Sequence, residues 1–103
     1  MGAFVTVARA RDVPPGAMRA VRLGRAEVLL ANVGGTFYAM AGWCTHRQAS
    51  LVEGSLWGEV VTCPFHGGQF DVRTGAVLGG PPPCPAPVYP VRVVDGAVQV
   101  APP

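Results

Sequence analysis

Apolar positions fall in short strand-like blocks along the chain, with Val28–Ala31 an uninterrupted apolar run. Phe4–Ala8, Arg19–Leu23, Val28–Ala31, Thr36–Met40, Glu59–Thr62, Gln69–Val72, Val88–Val94 and Ala97–Val100 each read as a strand. Turn residues separate nearly all of them: Pro14-Pro15-Gly16, Gly24-Arg25, Gly34-Gly35, Thr74-Gly75 and Asp95-Gly96. The last is a strong signal for a two-residue hairpin, and the pattern as a whole predicts antiparallel sheets. No long window holds a helical period, although Gln48–Glu53 has room for one turn. Three stretches do not read as strand: Trp43–Ser50, Cys63–Gly68 and Gly79–Pro87. The third runs Gly-Gly-Pro-Pro-Pro-Cys-Pro-Ala-Pro. Proline has no N–H for a central ladder, so this segment is expected to be a stiff, extended connection on the surface.

Composition narrows the picture. With 103 residues, 50% of them hydrophobic, the chain is expected to form a single domain over residues 1–103. Fourteen glycines and eleven prolines, with valine leading the apolar set, favour an all-β fold. Eight basic and six acidic residues leave a net charge of +2, which gives no electrostatic footprint for nucleic acid. Every basic residue is arginine, so Schiff-base chemistry and a phosphate-binding P-loop lysine are excluded. No apolar run approaches the roughly 20 residues that span a bilayer, and no membrane association is expected. Met1-Gly2-Ala3-Phe4-Val5-Thr6 formally fits the myristoylation pattern, but the alternation running on through Val7 reads better as a first strand. Three cysteines, an odd number without a secretory signal, point to a reducing, cytoplasmic setting in which thiols are free or bind metal.

The chemistry gathers in two of the loops. Cys44-Thr45-His46 and Cys63-Pro64-Phe65-His66 each carry one thiol and one imidazole, which uses both histidines of the chain and two of its three cysteines. A single Cys or His on a loop is more often structural than a ligand, but two matched pairs supply the four N/S donors of a closed metal site. Zinc is the ordinary reading of such a set, although zinc fingers usually place two cysteines on one loop and two histidines on the other. The C-x-H…C-x-x-H pattern resembles instead the Rieske family of [2Fe–2S] proteins. The resemblance continues through Gly67-Gly68-Gln69-Phe70-Asp71-Val72-Arg73-Thr74-Gly75, the proline-rich segment, Tyr89-Pro90-Val91-Arg92-Val93 and the closing Asp-Gly hairpin.

That resemblance implies a Rieske-like antiparallel β-sandwich with two cluster-binding loops and a proline loop. It implies one [2Fe–2S] cluster per chain, with Cys44 and Cys63 on one iron and His46 and His66 on the other. Two neutral imidazoles in place of two thiolates leave the oxidised cluster formally neutral, so an electron enters more easily than in an all-cysteine cluster. Potentials of such clusters run from about −150 to +300 mV, against about −400 mV for plant-type ferredoxins. High-potential relatives carry a serine, a tyrosine and a loop disulfide. The matching places here hold Gly68, Phe70, and Phe65 with Arg47 or its neighbours, which resembles the low-potential ferredoxin branch.

The implied function is a one-electron carrier between a flavin-dependent NAD(P)H ferredoxin reductase and a terminal oxygenase or other redox enzyme. The alternative is a small Rieske subunit of an assimilatory nitrite reductase or another multicomponent oxidoreductase. An oxygenase in its own right needs a further iron on two histidines and a carboxylate, and no histidine is left over. A docking patch is expected around His46 and His66, including Arg47, Gln48, Gly67 and Pro83. The remaining thiol, Cys84, is expected to be a small packing residue of the proline segment.

Overall fold

The computed structural model of the chain describes residues 3–43, 50–64, 67–80 and 85–103. Among these the strands are β1 (Val5–Arg9), β2 (Met18–Leu23), β3 (Ala26–Val33), β4 (Thr36–Ala41), β5 (Ser55–Trp57), β6 (Val60–Thr62), β7 (Gln69–Asp71), β8 (Val77–Gly79), β9 (Val88–Tyr89), β10 (Val91–Val94) and β11 (Ala97–Val100). They pair antiparallel in three sheets, ordered β1-β11-β10, β2-β3-β4-β9 and β5-β6-β7-β8. Short 3₁₀ turns cover Ala10–Asp12 and Leu51–Glu53, the latter inside the stretch expected to hold one helical turn.

The middle sheet explains the apolar run Val28–Ala31. Successive side chains of a strand point to opposite faces, so a strand covered on both sides must be apolar at every position. Val28 and Leu30 of β3 pack with Ala39, Val13, Val21, Val98 and Val100 on the side of the three-stranded sheet. Leu29 and Ala31 face the other way and pack with Met40, Leu51, Val61, Cys63, Phe70, Val72 and Ala86. All four β3 residues are fully buried. Each such valine or leucine side chain contributes about 1.5–3 kcal/mol, and the second core fastens the β5–β8 sheet, with its connecting loops, to the middle one.

Two sequence expectations change in detail. Val88–Val94 is not one strand: Val88 and Tyr89 pair with Met40 and Ala39 of β4, whereas Val91–Val94 pairs with β11. The break falls at Pro90, which has no N–H to continue either ladder, so the chain changes sheets there. Pro90 still accepts a hydrogen bond from the Ala101 N–H at 3.1 Å. The other change is the addition of β5 and β8, three residues each, which stand between or beside glycines and carry no strand pattern beyond their own length.

Candidate metal centre

The first candidate loop leaves the middle sheet after β4 and is closed at its base by main-chain bonds. Trp43 and Ser50 form an antiparallel bridge, and the Leu51 N–H donates to Gly42 O at 2.8 Å. Gly42 in turn donates its N–H to Glu27 O at 3.0 Å. A Cβ on residue 42 would stand 3.0–3.2 Å from Cγ, O and C of Glu27, so the chain passes β3 with little room for a side chain. The Ser50 hydroxyl donates to Glu27 Oε2 at 3.3 Å. One β3 residue thus touches both ends of the loop. Cys44 and His46, together with Arg47 and Gln48, lie outside the described residues.

The second loop joins β6 to β7. Register Thr62↔Gln69 carries into a bond from the Cys63 N–H to Gly68 O at 2.7 Å, which closes the loop directly at the candidate thiol. Cys63 is 3% exposed and belongs to the core that includes Leu29, Met40, Val61 and Phe70. Gly67 is exposed and Gly68 buried. His66 and Phe65 lie outside the described residues, as do Pro81, Pro82, Pro83 and Cys84. Of the four expected ligands, Cys63 is therefore the one whose surroundings are described.

Below this loop the chain turns from β7 towards β8 through Asp71-Val72-Arg73-Thr74-Gly75. Asp71 Oδ1 accepts from Arg73 N at 2.9 Å and Nε at 3.1 Å, and Oδ2 accepts from Nη2 at 2.9 Å. Arg73 also reaches Glu59 at 3.8 Å. The Arg73 hydrogen bonds hold the Asp71 carboxyl below its ordinary value against the opposing effect of burial, and the Arg73 guanidinium is raised by the same contact. Val72, fully buried between these charged neighbours, ties the turn into the core beneath Cys63.

Sequence reasoning located the two loops but not Glu27. An acidic residue next to the apolar run of β3 carries no local sign that it will meet Gly42 and Ser50, since that contact depends on the β3–β4 register. The donor chemistry fits a soft, electron-accepting iron centre. One buried thiol sits at a loop mouth closed by its own N–H, and the sequence supplies a second thiol and two imidazoles on the same pair of loops.

Comparison with known proteins gives the class. Residues 3–90 match the family model described as the Rieske [2Fe-2S] domain. Ferredoxin CarAc of Metapseudomonas resinovorans is 46% identical over 99 residues, covering 95% of this chain and 92% of that one. The biphenyl dioxygenase ferredoxin subunit of Pseudomonas sp. (strain KKS102) is 45% identical, covering 94% and 90%. A chain in the solved complex of reduced oxygenase and oxidized ferredoxin in carbazole 1,9a-dioxygenase superposes with a TM-score of 0.90 at 45% identity, covering 95% of this chain and 92% of its own length. The chain belongs to the Rieske [2Fe-2S] domain family. It is similar along nearly its whole length to ferredoxin subunits, which are electron-transfer components rather than catalytic ones, and its cofactor is a [2Fe–2S] cluster. No helix among the described residues is long and apolar enough to cross a membrane.

Proposed function

We propose that residues 1–103 act as one cytoplasmic electron-carrying domain, in which Cys44 and Cys63 hold one iron of the cluster and His46 and His66 the other. The carrier takes electrons from a flavin-dependent NAD(P)H reductase and delivers them to a terminal oxygenase. The oxygenase is favoured over a nitrite reductase assembly because the relatives at 45–46% identity are ferredoxins, one of them a biphenyl dioxygenase subunit. When bound, the cluster accepts and releases one electron at a time.

The observation that carries the ligand assignment is Cys63, a 3% exposed thiol set at the mouth of the second loop and packed into the core. A thiol so placed presents its sulfur from the protein side of the site, which leaves the solvent side to the imidazoles. The exposed Gly67, next in sequence to His66, fits that orientation. Glu27, Gly42 and Ser50 hold the ends of the first loop, and the Cys63–Gly68 bond holds the base of the second, so both loops start and finish on main chain that the sheets fix.

The test is anaerobic purification followed by iron and sulfide analysis and EPR of the reduced protein. The expected result is a red-brown protein whose reduced signal has an average g below the free-electron value. Cys44→Ala, Cys63→Ala, His46→Ala and His66→Ala should each lose the cluster, and the two cysteine variants much of the fold as well. A colourless protein with stoichiometric zinc overturns the reading.

A further inference from the structure

Two glycines hold the flanks of the proline-rich connection, and they meet different parts of the molecule. At its exit, Gly75 has a φ of +79°, and a Cβ there would stand 1.9 Å from Ala86 O. The same glycine accepts from the Ala86 N–H at 2.9 Å, and Pro87 O accepts from Ala41 N–H at 2.9 Å. The exit is thus stitched to the Asp71–Gly75 turn and to β4. At the entrance, Gly80 has a φ of +86° and lies on the second loop. A Cβ at residue 80 would stand 2.7 Å from Gly68 Cα and 3.1 Å from both Gly67 O and Gly68 N.

Both obstacles are main chain, so no side-chain rotation relieves them, and both φ values lie where L side chains are strained. The consequences differ. Crowding at Gly75 pushes on Ala86, which lies between Pro85 and Pro87 just ahead of β9. Crowding at Gly80 pushes on the Gly67–Gly68 peptide, which directly follows His66 and of which Gly68 is buried.

We propose that Gly80 is a positioning residue for the cluster: its bare α-carbon lets the main chain rest on the Gly67–Gly68 peptide, and that contact sets the reduction potential by fixing the chain beside His66 and keeping water from it. The proposal rests on the ligand reading above. Potentials of iron–sulfur centres follow hydrogen bonding and solvent access around the cluster. The reduced state carries one more negative charge, which water stabilises, so opening this contact raises the potential.

The test compares Gly80→Ala with two controls. Gly24→Ala places the same kind of backbone strain (φ +62°) in an open hairpin with nothing within 4 Å, and Gly75→Ala crowds the exit flank instead. At matched iron content, Gly80→Ala is expected to show a higher midpoint potential and an altered visible circular dichroism spectrum. Both controls should lose thermal stability and keep the wild-type potential. An unchanged potential in Gly80→Ala overturns the proposal, and so does an equal shift in Gly75→Ala, which would tie the potential to general loosening. If Gly80→Ala does not accumulate, Gly80→Asn carries the same Cβ on a residue more tolerant of positive φ and is read by the same criteria. Full iron in His66→Ala or Cys63→Ala sinks the ligand reading, whereas a wild-type potential in Gly80→Ala sinks only this inference.

Discussion

Asp71 and Phe70 are neighbours on β7 with opposite chemical roles. Asp71 has a side chain 12% exposed, and its bidentate bond from Arg73 lowers its pKa from the ordinary 3.8. A lowered folded pKa stabilises fully above the unfolded value and is lost as pH falls through the folded one. Thermal stability should therefore decline on acidification below about pH 4. Asp71→Asn should flatten that decline while costing about 1 kcal/mol at neutral pH, a modest figure because Arg73 is half exposed. Thermal melts of both proteins between neutral and acid pH check this. Phe70 is fully buried in the core that holds Cys63 and offers no hydroxyl. The potential is accordingly expected at the low end of the Rieske range. Phe70→Tyr should raise it by roughly 45–85 mV, the equivalent of about 1–2 kcal/mol for one hydrogen bond at about 59 mV per tenfold. Film voltammetry at neutral pH decides, and a clearly positive wild-type potential contradicts the assignment.

At the scale of elements, β3 serves two cores at once. Leu29 and Leu30 are adjacent, both fully buried, and face opposite sheets. Leu29→Ala and Leu30→Ala should each cost about 2–5 kcal/mol in denaturant unfolding. Only Leu29→Ala should speed iron release to a chelator, because only Leu29 shares a core with Cys63; equal release rates in the two variants would contradict this division. Most strands were legible in the sequence from their alternation and β3 from its apolar run, and the four ligand candidates were legible because thiols and imidazoles are scarce in this chain. Ser55–Trp57, closed in by Gly54 and Gly58, and Val77–Gly79, which runs into Gly80 and the prolines, were not, whereas Glu59 and Val72 lengthen the equally short β6 and β7 into readable stretches. The division of Val88–Val94 was hidden because its apolar alternation survives Pro90 while its pairing partner changes. Glu27 and Gly80 act through contacts with distant main chain, which only the assembled sheets create.

For the whole molecule, the question is where a partner meets it. Trp57 is 82% exposed, yet it sits at the β5–β6 turn, at the opposite end of β6 from Cys63. An indole there lies away from the proposed histidine side. Arg47→Glu should slow reduction by the cognate reductase, with potential and iron content unchanged, while Trp57→Ser should reduce at the wild-type rate. Stopped-flow kinetics measures both, and wild-type rates for Arg47→Glu would move the docking site elsewhere. The pairing of β1 with β11, Val5 with Val100, has a further consequence in time rather than space. A chain leaving the ribosome can fold the β2–β3–β4 meander from near neighbours, but the three-stranded sheet must wait for its last strand and then close a long loop, which is slow. Both candidate loops, Cys44–His46 and Cys63–His66, emerge before that closure. During the same interval Val28, Leu30 and Ala39 lack the cover of Val98 and Val100, and the nascent chain is at its most prone to aggregate.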